Sequence, residues 1–224
     1  MHKLYTFYVL LILNFNSFSN ESHVLPKQTP WTVLNTIGHS VDPTTGKVDD
    51  TEARGAWDSI IKLFKPTCPT NFDNGGGSSD DNTKYVKENY NIENIVYDPF
   101  MRPEEHNKKV SEKIKDKKFD CTTSFSVLNV IDNQEARSAH ITLCHSVLKD
   151  EGSAFFKVWP GNGTGIEIKE AGRYQSNKNA KFYVEEIKKV FGNENVSYED
   201  ERTIKAIKKI VKTENEKKLN NEKG

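Results

Sequence analysis

Between Ala53 and Gly192, short apolar runs alternate with segments whose apolar residues recur every three or four positions, and this alternation most limits what the chain can become. Ala53, Trp57, Ile60, Ile61 and Phe64 fall at helical spacing, and Pro66 stops that helix. A short strand is predicted over 70–73, a helix over 83–89, a strand over 92–97 and a polar helix over 103–117 that starts on a proline, where proline is tolerated. The stretch 119–130 is the most apolar internal one and predicts a buried strand with its exit turn. Asp132 and Glu135 have the spacing of a capping box, ahead of a helix with Ala136, Ala139, Leu143 and Val147 on one face. Asp150-Glu151-Gly152 then predicts a turn, 153–159 a strand, 160–165 a glycine-rich loop, and 180–191 an amphipathic helix closed by Gly192. The segment 196–207 fits a terminal hairpin, while Ile204, Ile207 and Ile210 or Val211 also fit a helix. Strands alternating with helices imply an α/β fold: a three-layer, doubly wound, mostly parallel sheet with helices on both faces.

The 224 residues suit one domain with appendages. Met1-His2-Lys3, the uncharged run from Leu4 to Leu13 and small residues at Ser17 and Ser19 make 1–19 a signal-like leader, with cleavage after Ser19 and export as its implication. The uncharged run is too short for a membrane span, which needs roughly 20 apolar residues. Residues 20–52 are irregular, 53–211 carry the domain, and 212–224, nearly all Lys, Glu and Asn, read as a disordered tail. Lys+Arg and Asp+Glu both number 32, so no bulk basic field supports nucleic-acid binding. The lysines between 108 and 118 are interleaved with Glu112 and Asp116, as on a solvated helix face.

Cys68, Cys121 and Cys144 are odd in number and form no Cys-x-x-Cys pair, which argues against a disulfide framework and for inert buried thiols; an exported chain has room for one bridge. Asn-x-Ser/Thr sequons begin at Asn20, Asn162 and Asn195 and matter in a secretory pathway. His140 and Cys144 share a helix face, but two ligands do not make a zinc site, and no metal is expected. No Gly-x-Ser-x-Gly elbow is present.

The informative site is Asp73-Asn74-Gly75-Gly76-Gly77, a strand end running into a glycine turn ahead of a helix, where backbone can approach a ligand. Counting Gly-x-Gly-x-x-Gly from Gly75 puts Asp80 at the last position, where a carboxylate would repel a pyrophosphate, and no Gly-Lys-Ser/Thr follows. A nicotinamide-dependent oxidoreductase is therefore a distant reading. Asp98 ends the next strand 21 positions after Gly77, where a carboxylate can accept from both ribose hydroxyls, with Phe100 placed to cover a base.

Asp73-x-Gly75-x-Gly77 followed by Asp98 resembles the cofactor site of the class I S-adenosylmethionine-dependent methyltransferases. The block from Phe119 to Ile131 looks like the family's fourth strand and the motif after it, and Leu148 to Phe156 looks like the entry to its fifth strand. The resemblance covers roughly residues 53 to 192 and implies a Rossmann-like fold and S-adenosylmethionine as cofactor. It implies that Gly75 and Gly77 face the methionine part, that Asp73 holds the loop and the ammonium end, that Asp98 binds the ribose, and that Ser124 lines the junction of cofactor and acceptor. Asn129, Tyr174 and Gln175 are the candidates on the acceptor side.

Ser79 stands where many members have a third glycine. Asp98 and Asp120 lie 22 positions apart, one helix fills most of that interval, and the third strand is expected to be shortened or missing. No Asn/Asp-Pro-Pro-Tyr/Phe follows the fourth strand, so nothing favours methylation of base amino groups. The expected activity is methyl transfer to an unknown acceptor, with a small-molecule cofactor as partner and no transmembrane span beyond the leader. The alternative is an exported ligand-binding or interaction module on a degenerate methyltransferase fold, without catalysis.

Overall fold

The computed structural model describes residues 40–41, 48–49, 57–63, 68–170 and 173–210. The leader, nearly all of the irregular segment 20–52 and the tail 212–224 lie outside the described residues, as do both ends of the helix predicted over 53–64, which is helical over 57–61. Ser40–Val41 and Val48–Asp49 pair as a two-residue antiparallel ladder.

The main sheet is built from β1 (Thr70–Asn74), β2 (Glu93–Tyr97), β3 (Phe119–Phe125), β4 (Leu148–Lys157), β7 (Val196–Asp200) and β8 (Thr203–Ile207), in the order β2-β1-β3-β4-β8-β7. The pairs β2/β1, β1/β3 and β3/β4 are parallel, and β8 runs antiparallel to both β4 and β7. Four helices connect the strands: α1 (Asp81–Tyr90), α2 (Glu104–Asp116), α3 (Gln134–Val147) and α4 (Val184–Phe191). The fold is Rossmann-like.

Only α2 lies between β2 and β3, so the third strand is missing from this interval, as the spacing of Asp98 and Asp120 implied. The terminal segment is a hairpin. Its Ile204 and Ala206 sit on the core face with Tyr183 and Ile187 of the preceding segment, and the period of two prevails over the helical spacing. A second hairpin, β5 (Glu167–Glu170) with β6 (Arg173–Ser176), was not expected; it is short and polar, and no apolar alternation announces it.

Helices cover both faces. Trp57, Ile60, Val86 and Ile92 pack with Phe155 on one side, while Ile141, Ile187 and Phe191 pack with Phe156 on the other. Phe155 and Phe156 are neighbours on β4 and enter opposite layers because strand side chains alternate. Two local expectations are corrected. The α3 cap is Asn133, not Asp132, and its Oδ1 accepts from Ala136 N at 2.9 Å. With the cap at Asn133 the third residue on is Ala136, which has no side chain to bond back, so a single cap bond replaces the expected capping box, and the fully buried face runs through Arg137, Ile141, Cys144 and Val147. Asp150-Glu151-Gly152 lies within β4, where Glu151 takes a left-handed φ of 62° and the pairing with β3 shifts between Phe119 and Cys121.

Of the two readings of the cysteines, inert thiols or one bridge, the structure has the bridge. Cys68 and Cys121 form a disulfide, with Cα atoms 5.5 Å apart, and only Cys144 is free. Pairing of Asn71 with Cys121 across β1 and β3 carries the chain before β1 alongside the sulfur of a central strand.

Candidate functional site

The carboxyl ends of β1, β2 and β3 come together, the region where ligands bind in open α/β sheets. The chain leaves β1 into the glycine turn because nothing larger fits. Gly75 has φ 88°, and a Cβ on it would lie 2.4 Å from Val127 Cγ2. A Cβ on Gly76 would lie 2.5 Å from Asp73 Oδ2 and 2.9 Å from Val96 Cγ1. Gly75 N donates to Tyr97 O at 2.7 Å, which fastens the turn to the end of β2.

Asp98 completes this junction. Its Oδ2 accepts from Gly77 N at 3.0 Å, and its Oδ1 accepts from Phe100 N at 3.0 Å and Met101 N at 2.9 Å. A carboxylate has about four acceptor sites, so Oδ2 keeps one for a hydroxyl donor. Phe100 is 60% exposed; its backbone is fixed by Asp98 and its ring is at the surface.

Asp73 is buried and accepts from Thr123 Oγ1 at 2.9 Å. It ends a polar row that crosses three strands. Thr83 Oγ1 accepts from Asn94 Nδ2 at 3.1 Å, Asn94 Oδ1 accepts from Asn71 Nδ2 at 2.8 Å, and Asn71 Nδ2 also donates to Thr123 Oγ1 at 2.8 Å. Burial pushes the Asp73 carboxyl up to about 6 against the pull of Thr123 and Asn94, and the neighbouring Asp98 carboxylate adds to the rise.

Ser124, at the end of β3, is hydrogen-bonded through Oγ to His140 Nε2 at 2.8 Å. Burial pushes the His140 imidazole down to about 4, so it is neutral near pH 7. Asn74 Nδ2 donates to His140 O at 3.3 Å and to Cys144 Sγ at 3.4 Å, so the His140/Cys144 pair belongs to this polar cluster. Among the described residues no group of three or more His, Cys, Asp or Glu could hold a metal ion.

The structure separates the three acceptor-side candidates. Asn129 and Gln175 meet, with Asn129 Nδ2 donating to Gln175 Oε1 at 3.2 Å. Tyr174 is 2% exposed, and its hydroxyl titrates above its ordinary range because of burial and the adjacent Glu167. A cavity of about 410 Å³ opens beside the 160–165 loop, lined by Pro160, Thr164, Asn177, Phe182 and Glu201 among others, and none of the nine predicted site residues lines it.

Arg102 was missed. Its Nε donates to Gly77 O at 2.6 Å, its Nη2 to Ser79 O at 2.7 Å, and its Nη1 pairs with Asp80 Oδ1 at 2.8 Å. This guanidinium clamps the far side of the glycine loop and sets a cation near Asp73. No local pattern announces it, because 98–102 lies outside any helix and the partners of its side chain stand 22 to 25 positions earlier.

The buried Asp73 and the half-buried His140 oppose each other in their pH dependence. Asp73, raised in the folded state, favours folding below its unfolded value and loses that contribution as pH rises from about 4 through about 6. His140, lowered in the folded state, disfavours folding at low pH, and stability is regained as pH rises from about 4 through 6.5. The wild-type protein should thus show nearly flat stability from pH 4 to 6, whereas Asp73→Asn should become steadily more stable with rising pH. Urea midpoints at several pH values check this; parallel pH curves for the two proteins would contradict it.

No family model matches the chain, and no curated protein matches it. Several solved structures are similar in part. They include DesVI of Streptomyces venezuelae, at 11% identity and a TM-score of 0.43 over 73% of this chain and 100% of that one. The sugar N-methyltransferase KedS8 from a Streptoalloteichus species matches at 10% identity and 0.46, over 73% and 94% of the two chains. Human N-acetylserotonin methyltransferase in complex with S-adenosylmethionine matches at 14% and 0.48, over 80% and 62%. At these identities and scores the likenesses add nothing to the strand order and the site geometry.

Proposed function

We propose that this chain is an S-adenosylmethionine-dependent methyltransferase. The observation that carries the reading is the bond from Gly77 N to Asp98 Oδ2, which joins the two halves of the motif at the carboxyl edge of the sheet. The residues present suit the cofactor. Asp73 is a buried carboxylate with a neighbouring carboxylate, and no cation makes an ion pair with it among the described residues. A ligand with an ammonium and a sulfonium relieves that unfavourable charge, and a pyrophosphate would aggravate it. Gly75 and Gly77 give the methionine part a backbone surface, the spare site on Asp98 Oδ2 accepts a ribose hydroxyl, and Phe100 is free to move over a base. When bound, the cofactor supplies an electrophilic methyl group for in-line displacement. The chain's part is positioning and exclusion of water, with the Ser124–His140 pair holding a hydroxyl at the junction where an acceptor proton must leave. Gln175 is the acceptor-side candidate, and the fully buried Asn129 holds it in place.

Calorimetric titration with S-adenosylmethionine and S-adenosylhomocysteine tests this. Submillimolar binding is expected, and Asp98→Ala should weaken it by about 1–3 kcal/mol, the range for a hydrogen bond to a charged group or a lost buried partner. No heat at millimolar ligand from folded protein would end the proposal, and an unchanged affinity in Asp98→Ala would remove the role given to that carboxylate. Export, expected from the leader, is supported by the Cys68–Cys121 disulfide, since such bonds persist mainly in oxidising compartments. Among the described residues no helix is long and apolar enough to cross a membrane.

A further inference from the structure

The three sequons differ in what their asparagines can do. Asn195 is 9% exposed, and its Nδ2 donates to Phe191 O at 2.7 Å and to Glu194 Oε1 at 3.3 Å, so its amide nitrogen is committed to the end of α4. Asn20 lies outside the described residues. Asn162 is exposed, as are Gly163 and Thr164. Its Oδ1 accepts from Thr164 N at 3.1 Å and from Thr164 Oγ1 at 2.7 Å, and no partner engages its Nδ2 among the described residues. A side chain added at Gly163 or Gly165 would meet nothing within 4 Å, so the space on either side of the sequon threonine is open.

We infer that Asn162 is an N-glycosylation site and that Asn195 is not. Two independent features point the same way. The Thr164 hydroxyl, bonded to the amide oxygen, polarises the carboxamide and leaves its nitrogen presented to solvent. The Cys68–Cys121 disulfide belongs to an oxidising compartment, the kind in which this modification is made. In the transfer, Asn162 Nδ2 bonds to the anomeric carbon of an oligosaccharide carried on a polyprenyl pyrophosphate. The bond from that carbon to the pyrophosphate oxygen breaks, the pyrophosphate leaves with the electron pair, and one amide proton passes to base. The glycan stands at the rim of the 410 Å³ cavity, whose lining includes Gly163, Thr164 and Gly165, and narrows its mouth to small ligands. The inference does not depend on methyl transfer.

The test is expression of the full chain, with its own leader, in cultured insect or mammalian cells, followed by peptide mapping of the secreted protein. Expected are a glycan on Asn162, an unmodified Asn195, and conversion of Asn162 to aspartate when an amidase removes the glycan. Asn162→Gln and Thr164→Ala should each abolish the modification at this loop while the protein is still secreted. Secreted protein bare at Asn162, a glycan on Asn195, or a chain kept in the cytosol with Met1 in place would each overturn the inference. Secretion with cofactor binding lost would leave it standing and count only against the proposed function.

Discussion

Reduction of the Cys68–Cys121 disulfide should destabilise the protein by about 4 kcal/mol, the loop-closure value for a bridge spanning 53 residues. For a domain of this size that is a fall in Tm on the order of 10 °C. The bridge links the chain before β1 to the central strand β3, and both cysteines are buried with Trp57, Ile60 and Val86. Thermal melts with and without reductant, with thiol labelling to confirm that the bond has opened, give the measurement. Cys144 will not confuse it, because burial pushes its thiol up to about 12 and leaves it a poor partner for exchange. Equal melts for oxidised and fully reduced protein would show that the bridge adds nothing to the fold.

Glu186→Ala should cost about 3–5 kcal/mol, because it strands a buried guanidinium. Arg137 Nε and Nη2 donate to the two Glu186 oxygens at 2.9 and 2.8 Å, with the two side chains only 8% and 12% exposed. Arg137 Nη1 also donates to Ile131 O at 2.7 Å, so one side chain joins α3 to α4 and ties down the loop before α3. Replacing both partners, Arg137→Met with Glu186→Leu, should restore most of the loss, since an apolar pair of similar size needs no compensating charge. Chemical denaturation of the single and double variants distinguishes the two effects. A double variant no better than Glu186→Ala would mean that the loop contact, not the ion pair, is what matters.

The sheet and the glycine junction were legible because each rests on neighbours in sequence. A strand end, a glycine turn and an acidic strand end are local patterns, and parallel pairing then brings Gly77 to Asp98. What sequence could not give depends on contacts across the chain. Cys68 and Cys121 are two of three cysteines with several pairings open, and the register of β1 against β3 selects one. Asn71, Asn94 and Thr123 look like surface residues by type, yet they pack as a hydrogen-bonded row inside the sheet. Arg137 interrupts the apolar stripe of α3, and its partner lies 49 positions away. The shift of the cap from Asp132 to Asn133 is a choice between adjacent residues of nearly equal capping tendency, which only the backbone resolves.

The missing strand has one more consequence. It leaves β2 at the margin of the sheet, with a row of main-chain groups that would otherwise invite a strand from another molecule. Side chains of α2 have taken up part of that row. His106 Nε2 bonds to Val96 O at 2.9 Å, and Asn107 meets the main chain of Asp98 with both ends of its amide, accepting from N at 3.2 Å and donating to O at 2.9 Å. Glu93, at the start of the strand, is held by Lys117 at 2.8 Å. The helix that follows β2 thus also blunts part of its open margin, a safeguard against edge-to-edge pairing built from side chains rather than from another strand.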